Sequence, residues 1–230
     1  MTADATIEVV RSTLAGNRAD RGGGFLSRSG VAASIESSTI SGNRATETGG
    51  GVQSSGEAAL EIVNSTVAGN ETHEFGGGVY GAPDSLAELN AVTVVRNRAD
   101  ADDVGFGGGG GLYGDGGLDV LEVRNSLVAR NRTTDGALQE CEAPAPVGIL
   151  SVGGNLVTTE AGGCDFFDDA EDLVDDQPKI GKLRANGGPT KTVALKPGSP
   201  ALGQADGPSP PDTDQRGIDR QNPDIGAFER

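Results

Sequence analysis

Four stretches of the chain carry nearly the same phrase: STLAGNRAD from Ser12, STISGNRAT from Ser38, STVAGNETH from Ser65 and VTVVRNRAD from Val92. A degenerate fifth copy, SLVARNRTT, starts at Ser126. The repeated asparagines are Asn17, Asn43, Asn70, Asn97 and Asn131, spaced by 26, 27, 27 and 34 residues. A glycine run follows each of the first four copies and leads into Phe25, Val52, Val79 or Leu112. Self-similarity at this period marks a repeat architecture, in which each unit buries its apolar side only by stacking on the next.

Within each copy the apolar residues alternate. Aligned on the asparagine, one column reads Val9, Ile35, Ile62, Leu89, Val123 and another Leu14, Ile40, Val67, Val94, Val128. Glu8, Ser34, Glu61, Glu88 and Glu122 lie next to the first column and face outward. Period two with β-branched residues specifies strands. About three strands per 27-residue unit fit one coil of a parallel β-helix, with coils one strand spacing apart, about 4.8 Å. The expected fold is all-β: a right-handed parallel β-helix of about six coils, the hand being the usual one for parallel crossovers. Aromatic residues make up only 3% of the chain and tryptophan is absent, so the core must be stacked aliphatics. The asparagines are expected to form a ladder at a corner, since Asn bonds neighbouring amides and tolerates left-handed backbone. Ile7 and Val9 already lie in the repeat frame, so further coils are expected ahead of Met1.

The text changes toward the C-terminus. Ten of the eleven prolines lie beyond residue 140. Residues 1–160 read as β-helix repeats and 161–230 as an irregular cap on the last coil, covering an edge that would otherwise aggregate. Asp214, Arg216, Asp219, Arg220, Asp224 and Glu229 are expected to hold this cap together by carboxylate–guanidinium pairs.

The phrases NSTVAGN and GGGVY resemble the pectin-lyase-like right-handed β-helix repeats of bacterial surface proteins. The tail is more specific. GGNLV, GCDF, DLVDDQPKIGKLRANGGPTKTVALKPGSPALG, TDQRG and DIGAFE, in that order, closely resemble the choice-of-anchor Q domain. The resemblance implies a secreted or surface-displayed protein, with a variable anchor following the domain; no anchor signal and no leader are read in this chain. It brings no catalytic residues to carry over. Cys141 and Cys164, read alone, are one disulfide or two buried thiols; the secreted setting that the resemblance implies favours the disulfide.

Formal net charge is −16. That argues against nucleic acid and anionic membrane surfaces as partners, and no apolar run approaches the roughly 18 residues of a membrane span. The acidic stretch Asp165, Asp168, Asp169, Glu171, Asp172, Asp175, Asp176 offers hard oxygens to Ca²⁺ but has no EF-hand frame, so a solvated acidic face is the simpler reading and no cofactor is expected. Gly105, Gly107 and Gly110 satisfy G-x-G-x-x-G without a βαβ setting. His73, the only histidine, stands in a loop and reads as a surface residue. The Thr13, Thr39, Thr66, Thr93 column faces solvent by parity, and its partner column Ala15, Ser41, Ala68, Val95 breaks the paired threonines an ice-binding face needs. Arg18, Arg44, Arg98 and Arg132 follow the repeated asparagines as one solvent row. Three N-x-[ST] matches begin at Asn64, Asn70 and Asn131 and read as accidents of the repeat. Features repeated in every coil serve stacking, and no nucleophile, base and orienting group stand together. The expected function is a non-catalytic, stalk-like or adhesin-like module of a larger bacterial surface protein, with a glycan or another surface protein as partner. The alternative is a β-helix that binds or cleaves extracellular polysaccharide.

Overall fold

A computed structural model describes residues 5–117, 120–134, 136–144, 148–158, 164, 167, 171–175 and 177–230. These residues form short strands and turns with no helix. The strands stack in register as a parallel β-helix. The first three coils supply four short strands each and the next two supply three. In the second coil they are Val31–Glu36, Thr39–Ser41, Arg44–Thr48 and Val52–Ser54. Stacking produces a first sheet six strands deep, a second of seven, a third of three and a fourth of five.

Left-handed corners bracket the short second-sheet strand. One corner falls at Arg11, Ser37, Asn64, Ala91 and Asn125, the other at Gly16, Gly42, Gly69, Arg96 and Arg130, all with positive φ. The second set immediately precedes the repeated asparagines. The left-handed residue at that corner is therefore the neighbour of each Asn, and the Asn contributes its side-chain amide. The glycine runs answer a different demand, close approach of successive coils. A Cβ on Gly50 would lie 2.5 Å from the Gly77 carbonyl oxygen, and one on Gly77 2.5 Å from that of Gly110. Only glycine fits there.

The expected apolar columns form the core. Ile35, Ile62, Leu89 and Val123 are fully buried, as are Ile40, Val67, Val94 and Val128. Val9 and Leu14, in the first coil, are only partly covered. Of the acidic stretch, Asp172 and Asp175 bond to the last coil, at the far end of the stack. Leu173–Val174 adds the last strand of the second sheet, and Phe167 packs on the core.

From residue 178 the chain does more than cap. It runs back along the outer face of the second sheet as far as the second coil. Ile180–Arg184 and Thr192–Leu195 form an antiparallel pair. Ile180, Val193, Leu195, Ala201, Ile225 and Phe228 then bury against Ala68, Val95, Leu127, Ala129 and Leu156. The threonine column expected to face solvent is covered in consequence. Thr39, Thr66 and Thr93 are 0%, 0% and 1% exposed, while Thr13, beyond the tail's reach, is exposed. Parity placed these threonines correctly on the outer face; a distant segment then covered that face.

Candidate functional site

The predicted ladder is present. Asn17 Nδ2 donates to Asn43 Oδ1 (3.1 Å), and Asn43 and Asn70 donate in turn to Asn70 and Asn97 (3.0 Å each). Asn97 donates to Asn131 at 2.9 Å. Each backbone N–H in the series shares the same acceptor. From Asn43 on, each asparagine passes one Nδ2 hydrogen toward the C-terminal end and the other back to a carbonyl of the preceding coil, so the last link needs an acceptor from outside the column. Glu140 supplies it, taking Asn131 Nδ2 at 2.7 Å, Asn131 N at 3.0 Å and Arg130 N at 2.7 Å, with the Thr158 hydroxyl alongside. Burial pushes the Glu140 carboxyl up to about 7, against the pull of these donors. A parallel series through Ser38, Ser65 and, farther on, Ser126 ends the same way. Ser126 N donates to Asn155 Oδ1, and Asn155 N and Nδ2 each donate to Asp172 Oδ1 at 3.0 Å. Asp172 is thus a ladder terminus. Of the acidic stretch, Asp165, Asp168, Asp169 and Asp176 lie outside the described residues.

Cys141 and Cys164 form a disulfide, with Cα atoms 5.1 Å apart. In the tail, Arg216 pairs with Asp214 at 2.7 Å and Arg220 with Glu229 at 3.3 Å. Asp224 accepts from the amides of Gly203 and Arg230, and Asp219 stays exposed. Burial raises the Glu229 carboxyl and lowers the Arg220 guanidinium from their ordinary values, while their mutual attraction opposes both shifts. These charges lock the tail and reach the coil: Arg220 also donates to Asn64 Oδ1 at 3.2 Å. The three sequon asparagines, Asn64, Asn70 and Asn131, are buried at 3%, 0% and 0% exposure. His73 has two polar partners. Its Nε2 lies 3.0 Å from the Arg44 guanidinium and its Nδ1 3.6 Å from Asp102. Gly110 sits in the glycine column, pressed against the Arg132 backbone, with a strand rather than a helix after it.

The feature missed in the sequence is on the outer face of the fourth sheet. Register aligns Leu26, Gln53, Tyr80, Tyr113 and Glu142 in one outward column. The inward neighbours Phe25, Val52, Val79 and Leu112 stay apolar, whereas the outward residues change from coil to coil. The Tyr80 and Tyr113 rings stack with near-parallel planes, their centroids 5.5 Å apart. Phe75 lies on Tyr113 at 4.5 Å and meets Phe106 edge-on at 5.2 Å. Phe106 is 63% exposed. Half of the chain's eight Phe and Tyr residues thus gather at one place. The Tyr80 hydroxyl donates to Asp115 Oδ2. Burial and that carboxylate push Tyr80 far above its ordinary value, and burial pushes Tyr113 up to about 12, so both remain neutral donors.

These rings border a cavity of about 420 Å³ that also takes in Glu47, Glu74 and Asp115. A second cavity of about 310 Å³, bordered by Asp20, Leu26 and Arg28, shares Arg21, Glu47 and Ser55 with it. Together they make a lateral groove that crosses successive coils along the stack. The signal was present in the phrases GGGVYG and GGGLYG: alignment on the glycines, instead of on the asparagines, superposes the two tyrosines. Among the described residues no three acidic, His or Cys side chains are grouped to hold a metal ion.

Comparison with known proteins finds no matching family model, no similar curated protein and no similar solved structure.

Proposed function

We propose that this chain is a non-catalytic module of an extracellular bacterial surface protein, a stiff β-helix that holds an extended glycan in the groove over its fourth sheet. The observation that carries the reading is the divergence of one outward column. Stacking alone asks each coil for the same residue. Leu26, Gln53, Tyr80, Tyr113 and Glu142 break that rule on a surface that also gathers exposed aromatic area and carboxylates. Aromatic faces with a few fixed polar groups are what a pyranose ring needs from a pocket. The coil repeat, about 4.8 Å, is comparable with the length of one sugar residue in an extended chain. The Cys141–Cys164 disulfide supports an oxidising compartment. The resemblance of the tail to the choice-of-anchor Q domain supports display at the cell surface.

A glycan array tests the binding, followed on every hit by reducing-end and unsaturated-product assays with and without Ca²⁺. Binding without product is the expected outcome. Turnover abolished by one carboxylate substitution would replace this reading with a polysaccharide-cleaving one.

A further inference from the structure

The groove has an electrical polarity. Its cationic side chains, Arg21 and Arg28, belong to the first coil, and Arg21 is engaged by Glu47 at 2.5 Å. The cavity at the aromatic cluster is also lined by that Arg21–Glu47 pair, whose charges cancel, which leaves Glu74 and Asp115 in excess, with Glu142 next in the outward column beyond Tyr113. Among the described residues no Lys or Arg lies in ion-pair range of these three carboxylates. The neutral donors they do meet, a hydroxyl and a carboxamide, bring no opposite charge. Asp115 accepts the Tyr80 hydroxyl and Glu142 accepts Gln139 Nε2 at 2.9 Å. The exposed Phe106 ring adds a π face, which attracts cations and aliphatic C–H edges. The chain's net charge of −16 works in the same direction over longer range. A polyuronate would carry a carboxylate on each sugar into this field and meet like charge. A glycan with protonated amines would find both an opposite charge and an aromatic face.

We propose that the aromatic end of the groove selects an amine-bearing hexosamine polymer, a partly or fully N-deacetylated glycan, and rejects uronate polymers. This rests on the glycan-binding reading above and narrows its ligand class. Glu74 and Asp115 receive ammonium groups, and Phe75 and Phe106 take sugar faces.

Titration calorimetry at mildly acidic pH, with three probes of equal length, tests it: a β-1,4-linked glucosamine oligomer, its fully N-acetylated counterpart and a galacturonate oligomer. The glucosamine oligomer should bind at least about tenfold more tightly than the acetylated one, a ratio set by one charge-assisted contact. The galacturonate should not bind, and raising the salt should weaken glucosamine binding. The double substitution Glu74→Gln with Asp115→Asn should bring the glucosamine oligomer down to the acetylated level. Phe106→Ala, at an exposed site where folding is not at stake, should weaken both hexosamine oligomers about fivefold. Thermal melting of each variant confirms that it is folded. Equal or tighter binding of the acetylated or galacturonate probe at the same groove overturns the amine selectivity and leaves the glycan reading standing. Binding of no sugar, or binding that ignores all three substitutions, overturns both.

Discussion

Replacing Asn70 with Ala should remove the middle rung of the ladder and cost far more than the same change at its open end. Asn70 Oδ1 accepts Asn43 N and Asn43 Nδ2, each at 3.0 Å. Its Nδ2 donates to Asn97 Oδ1 and to the Ile40 carbonyl, at 3.0 and 3.1 Å. Asn43 is 1% exposed, so its backbone N–H would be stranded without water. A stranded buried donor costs about 2 kcal/mol, and the weakened bonding of Asn43 Nδ2 and of the Ile40 carbonyl about 1 kcal/mol each. Asn97 Oδ1 keeps the Asn70 backbone N–H and adds little. The total is about 4 kcal/mol, at the upper end for a single substitution. Asn17 sits in the exposed first coil, and its side chain gives up only the 3.1 Å bond to Asn43. Asn17→Ala should therefore cost less than about 1 kcal/mol. Urea unfolding followed by circular dichroism measures both. A difference between the two variants below about 1 kcal/mol would refute the claim that coil-to-coil donors depend on the asparagine column.

Gln215→Ala should loosen the tail while leaving the coil intact. Gln215 is 1% exposed and bridges Thr66 Oγ1 (2.6 Å), Thr190 Oγ1 (2.9 Å) and the Ser38 carbonyl (3.0 Å), so a loss of about 2–3 kcal/mol is expected. Hydrogen exchange should accelerate in Thr192–Leu195 but not in Val31–Glu36; uniform acceleration would contradict a separable strap. Glu140 makes stability depend on pH. Its folded pKa of about 7 lies above the ordinary 4.5, so its favourable contribution is complete below about pH 4.5 and lost as pH rises through 7, a change of about 3 kcal/mol. Wild type should lose that much relative to Glu140→Gln between acid and mildly alkaline pH, and parallel pH profiles would exclude it. Cys141→Ser with Cys164→Ser opens a loop of 23 residues and should cost roughly 3 kcal/mol by chain entropy. A melting temperature equal to that of wild type would show that the bridge constrains nothing.

The coil itself was legible because its causes are local and repeated. Period-two columns such as Ile35, Ile62 and Leu89 state which side of each strand is buried, and the recurrence of Asn43, Asn70 and Asn97 states the register. A ladder follows from these alone, whatever lies elsewhere in the chain. The charged partners in the tail were likewise readable from residue type, whereas the cysteine bridge was favoured only through the secreted setting that the resemblance of the tail implies. What covers an outer face was not. Thr39 and Thr66 have outward parity, and they are buried only because Thr190, Lys191 and Gln215, about 150 residues away in the chain, lie over them. Nor could the sequence say where the ladders stop. Glu140 breaks no repeat rule in isolation; it becomes the last acceptor because the loop after Asn131 brings it beneath that amide. The groove belongs to the same class. Phe75 and Phe106 come from loops of different length, Tyr80 and Tyr113 from successive strands, and their meeting depends on stacking. Periodicity encodes the stack because each coil restates the same contact. Contacts made once, between segments that do not repeat, were decided by the tertiary structure.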